Sequence, residues 1–181
     1  MSTPVLPEGQ ARPITRYGEK VLHEPCAVVT TFDDELRQLV ADMFASMAAA
    51  HGVGLAANQI GVGRRVFVVD CPDSTGEHTV AHVVNPVLEV PAYRSLFEDD
   101  EGCLSVPGPY APLARQAQAA VTGVDVEGNP VRIEGDGLLA RCLQHECDHL
   151  EGQVYVDRLT GKERKRVLKE MAEPGEEPWL G

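Results

Sequence analysis

The sequence predicts an α+β fold: a central helix over residues 138–150, antiparallel or mixed β-sheets around it, and a longer helix packed outside. Three observations carry this. Residues 33–51 have the apolar spacing of an amphipathic helix, several short β-branched runs are separated by turn residues, and a second helical stretch follows Gly135-Asp136-Gly137 and stops at Gly152. At 181 residues the chain suits one domain over 1–181 with a real core, and residues 1–12 and 174–181 are expected to be flexible ends.

Each element has a local cause. Leu36, Leu39, Val40, Met43, Phe44 and Met47 recur every three or four residues and so share one helix face. Thr31 with Asp34 three residues on suits a capped start, and the helix ends before Gly52. Arg65–Asp70 (Arg-Val-Phe-Val-Val-Asp) suits a buried strand. Thr79–Val84 and Val87–Val90 read as further strands, broken by Asn85-Pro86. Ala119–Val126 and Pro130–Ile133 flank Glu127-Gly128-Asn129, a hairpin signal. Residues 162–171 suit a second short helix. The tail from Pro174 carries the only tryptophan, Trp179, either packed back on the body or loose.

Composition excludes several classes. Charged residues are 24% and hydrophobic residues 43%, as in soluble globular proteins. A net charge of −12 argues against a DNA or general nucleic-acid binder. Residues 1–13 have no apolar run, so neither a signal peptide nor a membrane anchor is expected. The cysteine count of five is odd, and no Cys-x-x-Cys pair occurs. Reduced thiols and a cytoplasmic location follow from that.

The chemistry concentrates in Gln144-His145-Glu146-Cys147-Asp148-His149. On a helix of about 3.6 residues per turn, His145 and His149 lie on one face and can reach one ion. Glu146 flanks that ion, where it can take a proton from water. Hydrolytic metal sites usually have a third protein ligand. A third histidine six residues on is ruled out, because Tyr155 stands there. Cys147 points to the opposite side of the helix, and Cys142 lies one turn too early and should line the pocket floor. That leaves Cys103, in Glu101-Gly102-Cys103-Leu104-Ser105-Val106-Pro107, or an unseen Glu or Asp; spacing alone keeps both open. Gly102 permits close backbone approach, and Pro107 should end the extended segment.

Gly52-Val53-Gly54-Leu55-Ala56-Ala57-Asn58-Gln59 matches a dinucleotide fingerprint superficially, but a helix precedes it and a strand follows, the reverse of that motif. Backbone brought close to a ligand, with Gln59 offering an amide donor, suits it better.

Together these three segments, in this order and spacing, resemble the three signature motifs of peptide deformylases. The likeness spans about residues 13–160. It includes Ile14, Val21-Leu22 and Asp136-Gly137-Leu138-Leu139-Ala140-Arg141. The resemblance implies a peptide-deformylase-like fold and hydrolysis of N-formylmethionyl nascent peptides, releasing formate. It implies Cys103, His145 and His149 as ligands of one divalent ion, with Fe2+ native and Zn2+, Ni2+ or Co2+ as substitutes. Hydroxide bound to the ion becomes the group that attacks the formyl carbon, with Glu146 as the general base and acid. Gln59 and the Leu104 N–H become donors to the formyl oxygen. Val53, Gly54, Gly102, Leu138 and Cys142 become substrate-binding positions. One departure stands out: where many relatives carry an arginine that holds the peptide, this chain has Tyr110, with Arg115 as a possible replacement.

Other features have plainer readings. His23, His51, His78 and His82 lack metal spacing, and Phe97–Glu101 reads as a solvated acidic approach to the site. Residues 162–169 hold five basic and one acidic residue; they form either a solvated helix face or a ribosome-docking surface. A monomer is expected. Two rival classes are an endopeptidase and a non-catalytic metal-binding or partner-binding protein. Tyr155 and the Cys103 motif disfavour the first, and the intact Glu146 and Gln59 disfavour the second.

Overall fold

The computed structural model describes residues 3–92 and 95–180. Its first helix, α1, runs Asp34–Ala49, and a five-stranded antiparallel sheet follows. The strands are β1 (Gly54–Ala56), β2 (Val66–Pro72), β3 (His78–Glu89), β6 (Gln118–Val124) and β7 (Pro130–Asp136), paired in the order β1-β2-β3-β6-β7. A separate hairpin consists of β4 (Leu96–Cys103) and β5 (Val106–Gln116). Helix α2 (Gly137–Leu150) and helix α3 (Gly161–Glu170) complete the chain. The α+β expectation holds.

Strand β2 explains the layering. Successive side chains of a strand point to opposite faces. Phe67, Val69 and Cys71 pack with Leu139, Leu143, Cys147 and Leu150 of α2, while Val66 and Val68 pack with Leu36, Val40 and Met43 of α1. Both faces are covered, so this strand is apolar without alternation. On its other side α2 meets the β4–β5 hairpin, and residues 139–150 are all buried. The ligand helix is therefore central, and α1 is the outer layer. A third cluster, with Leu22, Val106, Ala111, Tyr155 and Val167, ties the hairpin to α3.

Four local expectations are corrected. The cap of α1 is Asp33, not Thr31; its extended backbone lets the carboxylate accept the Leu36 N–H at 3.0 Å. Strand β3 runs through Asn85-Pro86, because Asn85 adopts a left-handed φ of 53° and forms a bulge. Its side-chain amide bonds both backbone groups of Val29, which fixes that conformation. Pro107 does not end the extended segment: β5 continues through Pro107, Pro109 and Pro112. In a two-stranded sheet each strand has a free edge, where a missing N–H costs little. The acidic run before Cys103 is likewise a strand, β4.

The ends were expected to be loose. Met1, Ser2 and Gly181 lie outside the described residues. Residues 9–12 are laid along α1 instead. A Cβ on Gly9 would lie 2.1 Å from the Ala41 carbonyl oxygen, and the Gln10 N–H donates to Asp42 at 2.9 Å. The carboxyl-terminal tail also packs back, as described below.

Candidate metal centre

Helix α2 begins at Gly137 (φ 55°) and its continuation stops at Gly152 (φ 80°). A side chain at 152 would press on the backbone of His23 and Glu24 at under 3 Å, so glycine is required there. Between these ends the four-residue spacing brings His145 Nε2 to 3.1 Å from His149 Nε2. Cys103 arrives from the end of β4, where the pairing is bulged and a turn at Leu104-Ser105 leads into β5. Its Sγ lies 3.3 Å from His149 Nε2. The three ligand atoms lie within 4.8 Å of one another, the one such cluster among the described residues. One sulfur and two imidazole nitrogens suit a borderline-soft divalent ion such as iron(II) or zinc.

The first histidine is held by a carboxylate. His145 Nδ1 donates to Glu101 Oε2 at 2.9 Å, which leaves Nε2 as the free ligand atom. Glu101 in turn accepts from Arg115 at 3.0 and 2.6 Å and from Arg141 at 3.3 Å. Arg115 also donates to Asp148 at 2.7 Å, and Asp148 accepts from Arg158 through both carboxylate oxygens. Burial would raise the Glu101 carboxyl, but His145 and Arg115 outweigh it and hold the group well below the usual carboxylate range. Glu101 is thus no part of a solvated approach. The available signal was its spacing: two residues before Cys103 in an extended segment, it reaches the same helix. Arg115 is 5% exposed and fully engaged, so it does not replace a peptide-holding arginine. Tyr155 does not ligate; its ring stacks at 6.3 Å on that of His145.

Glu146 faces a different environment. Burial pushes its carboxyl up to about 7, against the lowering influence of His145. Its Oε2 is buried without a hydrogen-bond partner among the described residues. Such an orphan atom is rare in a protein interior and suits a proton carrier beside a bound water. Gly54 makes room for it: a Cβ there would lie 2.7 Å from Glu146 Oε1 and 2.6 Å from Cys142 Sγ.

Gln59 is fixed by its surroundings. Its Oε1 accepts the Ala56 N–H at 3.0 Å, and its Nε2 donates to Ser105 Oγ at 3.1 Å and lies 3.6 Å from Cys103 Sγ. Ser105 is a site residue the sequence did not single out. Another is Asn58, whose Nδ2 donates to the His149 carbonyl at 2.6 Å and so braces the end of α2.

A cavity of about 610 Å³ opens on this cluster. Val53, Gly54, Gln59, Gly102, Leu104, Leu138, Cys142, His145 and Glu146 all line it. The sequence-predicted residues are therefore brought together, His149 through the ligand cluster behind the lining, and Cys147 sits in the core as expected. The Val53 carbonyl already accepts the Asp70 N–H at 2.9 Å, so pairing of a peptide with Val53 would add to an existing bond. Tyr110 lies on the rim, with its ring against the Gly102 backbone. Cys147 is inert, because burial pushes its thiol up to about 12.

Comparison with known proteins agrees with this geometry. A family model described as polypeptide deformylase matches residues 11–165. The chain is 58% identical over 167 residues to peptide deformylase 1 of Streptomyces avermitilis, covering 91% of this chain and 77% of that protein. It is 54% identical over 164 residues to peptide deformylase 2 of Streptomyces coelicolor, covering 91% of each. Among solved structures, it is similar to a peptide deformylase from Ehrlichia chaffeensis, with a TM-score of 0.81, 35% identity, and 88% and 94% of the two chains covered. A Synechococcus elongatus peptide deformylase in complex with actinonin gives a TM-score of 0.79 and 36% identity, covering 98% of each chain.

Proposed function

The chain belongs to the polypeptide deformylase family, and from that premise we propose that it hydrolyses the formamide at the start of newly made proteins, releasing formate and a free methionyl amino group. The observation that carries this is the convergence of Cys103, His145 and His149 on one point beside the unpartnered carboxylate of Glu146. These three residues would hold one divalent ion, with iron(II) native and zinc, nickel or cobalt as substitutes. When bound, that ion makes water acidic enough to attack near neutral pH and polarises the formyl carbonyl.

The chain's own residues supply the rest. Glu146 takes a proton from the attacking water and returns it to the departing nitrogen, work worth roughly 10²–10⁴ in rate. The Gln59 amide and the Leu104 N–H face the growing charge on the formyl oxygen, where losing one donor typically costs about 10²–10³. Their positions support this: Gln59 is locked by Ala56 and Ser105, and Leu104 sits in the turn that follows Cys103. Leu138 and Cys142 line a pocket for the methionine side chain, and Val53, Gly54 and Gly102 offer backbone to the peptide.

The wider setting is also a proposal. The five cysteines are free, which suits a reducing cytoplasm. Among the described residues no helix is long and apolar enough to cross a membrane. We take the chain as one catalytic domain and a monomer. Ribosome contact through residues 162–169 would rest on Lys162, Lys165 and Lys169, because Arg164 pairs with Asp157 and Arg166 with Glu163 and Glu170.

The test is formate release by protein prepared without oxygen. Formyl-methionyl peptides should react, while acetyl-methionyl peptides and peptides blocked at both ends should not. Internal cleavage of the blocked peptides without formate release would reject the reading in favour of an endopeptidase.

A further inference from the structure

One wall of the cavity comes from the carboxyl-terminal tail. After α3 the Ala172 N–H donates to the Pro107 carbonyl at 2.8 Å, beside the start of β5. The Arg16 guanidinium donates to the Ala172 carbonyl and pairs with Glu177 at 3.2 Å. The Leu180 N–H closes a turn onto the Glu177 carbonyl at 3.0 Å. This turn presents Trp179, half-buried, to the cavity that Tyr110 and the prolines at 107 and 109 also line. No free guanidinium or ammonium lines that cavity among the described residues. Its one arginine, Arg141, is buried and donates to the carbonyls of Phe97 and Leu113 and to Glu101.

We propose that Trp179 and Tyr110 form an apolar subsite for the substrate side chains that follow the terminal methionine. The proposal rests on the deformylase reading and deepens it. A wall of aromatic and proline surface rewards apolar side chains and leaves glycine without a partner. The absence of a cation there makes the peptide's carboxylate unimportant. Trp179 owes its place to the turn that Arg16 holds through Ala172 and Glu177, and it is neither a metal ligand nor a donor in the chemistry proposed above. Its contribution is therefore separable from the chemistry.

Two peptides and one spectroscopic signal test this. The ratio of kcat/KM for formyl-Met-Leu-Phe to that for formyl-Met-Gly-Gly should fall roughly tenfold in Trp179→Ala, the scale of one lost aromatic contact. The loss should appear mainly in KM. Trp179→Phe should recover most of the ratio, and Arg16→Ala, which frees the turn but keeps the indole, should lower it. Because Trp179 is the only tryptophan, its emission should also shift on adding the product Met-Leu-Phe, and stay put with Met-Gly-Gly. An unchanged ratio in Trp179→Ala, or an emission that ignores Met-Leu-Phe, overturns the subsite. So does a rise in kcat/KM for both peptides, which would make the tail an obstruction. If the unaltered protein releases formate from neither peptide, the deformylase reading falls and the subsite falls with it.

Discussion

Glu101 and Glu146 are both buried and both lie close to His145, yet their acidities are pushed in opposite directions. Glu101 faces Arg115, Arg141 and the His145 N–H, so its charge is compensated. Glu146 has one oxygen with no partner among the described residues, so burial dominates. The difference predicts different losses. Glu146→Gln keeps the shape and the three ligand atoms but not the proton; bound metal should remain near one per chain while kcat falls by about 10²–10⁴. Metal analysis beside formate release checks this, and substantial turnover would remove Glu146 as the proton carrier. Glu101→Ala should instead loosen the ligand, weakening metal affinity about 10- to 100-fold. Competition with a chelator reads that directly, and an unchanged affinity would leave Glu101 merely structural. Residues 145, 146 and 149 were legible because their geometry follows from one helical period. Cys103 and Gln59 were not fixed by spacing, since 42 and 86 residues separate them from His145, and needed the family likeness. The pairing of Arg115 with Glu101 and Asp148 stayed hidden for the same reason: buried ion pairs between distant segments leave no periodic trace, and only the two-residue spacing of Glu101 from Cys103 hinted at its side of the strand.

At the scale of elements, the helices and the central strands were readable because hydrophobic period is a local property. What escaped was set by tertiary context. The β4–β5 hairpin carries acidic residues on one strand and three prolines on the other. Only its isolation as a two-stranded sheet makes that sequence acceptable. The amino-terminal arm also escaped, because a single buried carboxylate on α1 decides its position. Burial alone would raise the Asp42 carboxyl, but the Gln10 N–H, the Gln38 amide and the Arg12 guanidinium together hold it below the usual range. A carboxyl depressed in the folded state contributes its stability fully above the unfolded value of about 4, and loses it as pH falls through the folded value. The thermal midpoint of Asp42→Asn should therefore lie below that of the parent at pH 7. The gap should close as pH drops below about 4. A gap independent of pH would show that the arm is held by packing, as at Gly9, and not by charge.

For the molecule as a whole, the metal cluster sits on the seam between two bodies. Cys103 belongs to the hairpin, while His145 and His149 belong to the helix that packs on the five-stranded sheet. Without an ion, this seam is held by Glu101, Arg115, Arg141 and Asp148, and by the apolar cluster around Tyr155 and Val106. An ion bound to all three ligands adds a cross-link between hairpin and helix, and a ligand present at about 100 times its Kd stabilises the folded state by about 2.7 kcal/mol. For a chain of this size each kcal/mol shifts Tm by roughly 2–4 °C, so anaerobic removal of the metal should lower Tm by roughly 5–10 °C. The loss should also be local. Amide exchange should quicken most at the Cys103 end of the hairpin, while β2, whose Val66–Val69 are fully buried between two helices, keeps its protection. Cys103→Ser should have the lower Tm from the start and respond little to chelator. An equal rise in exchange across hairpin and sheet would mean that the two bodies unfold together, and that the ion is no strut between them.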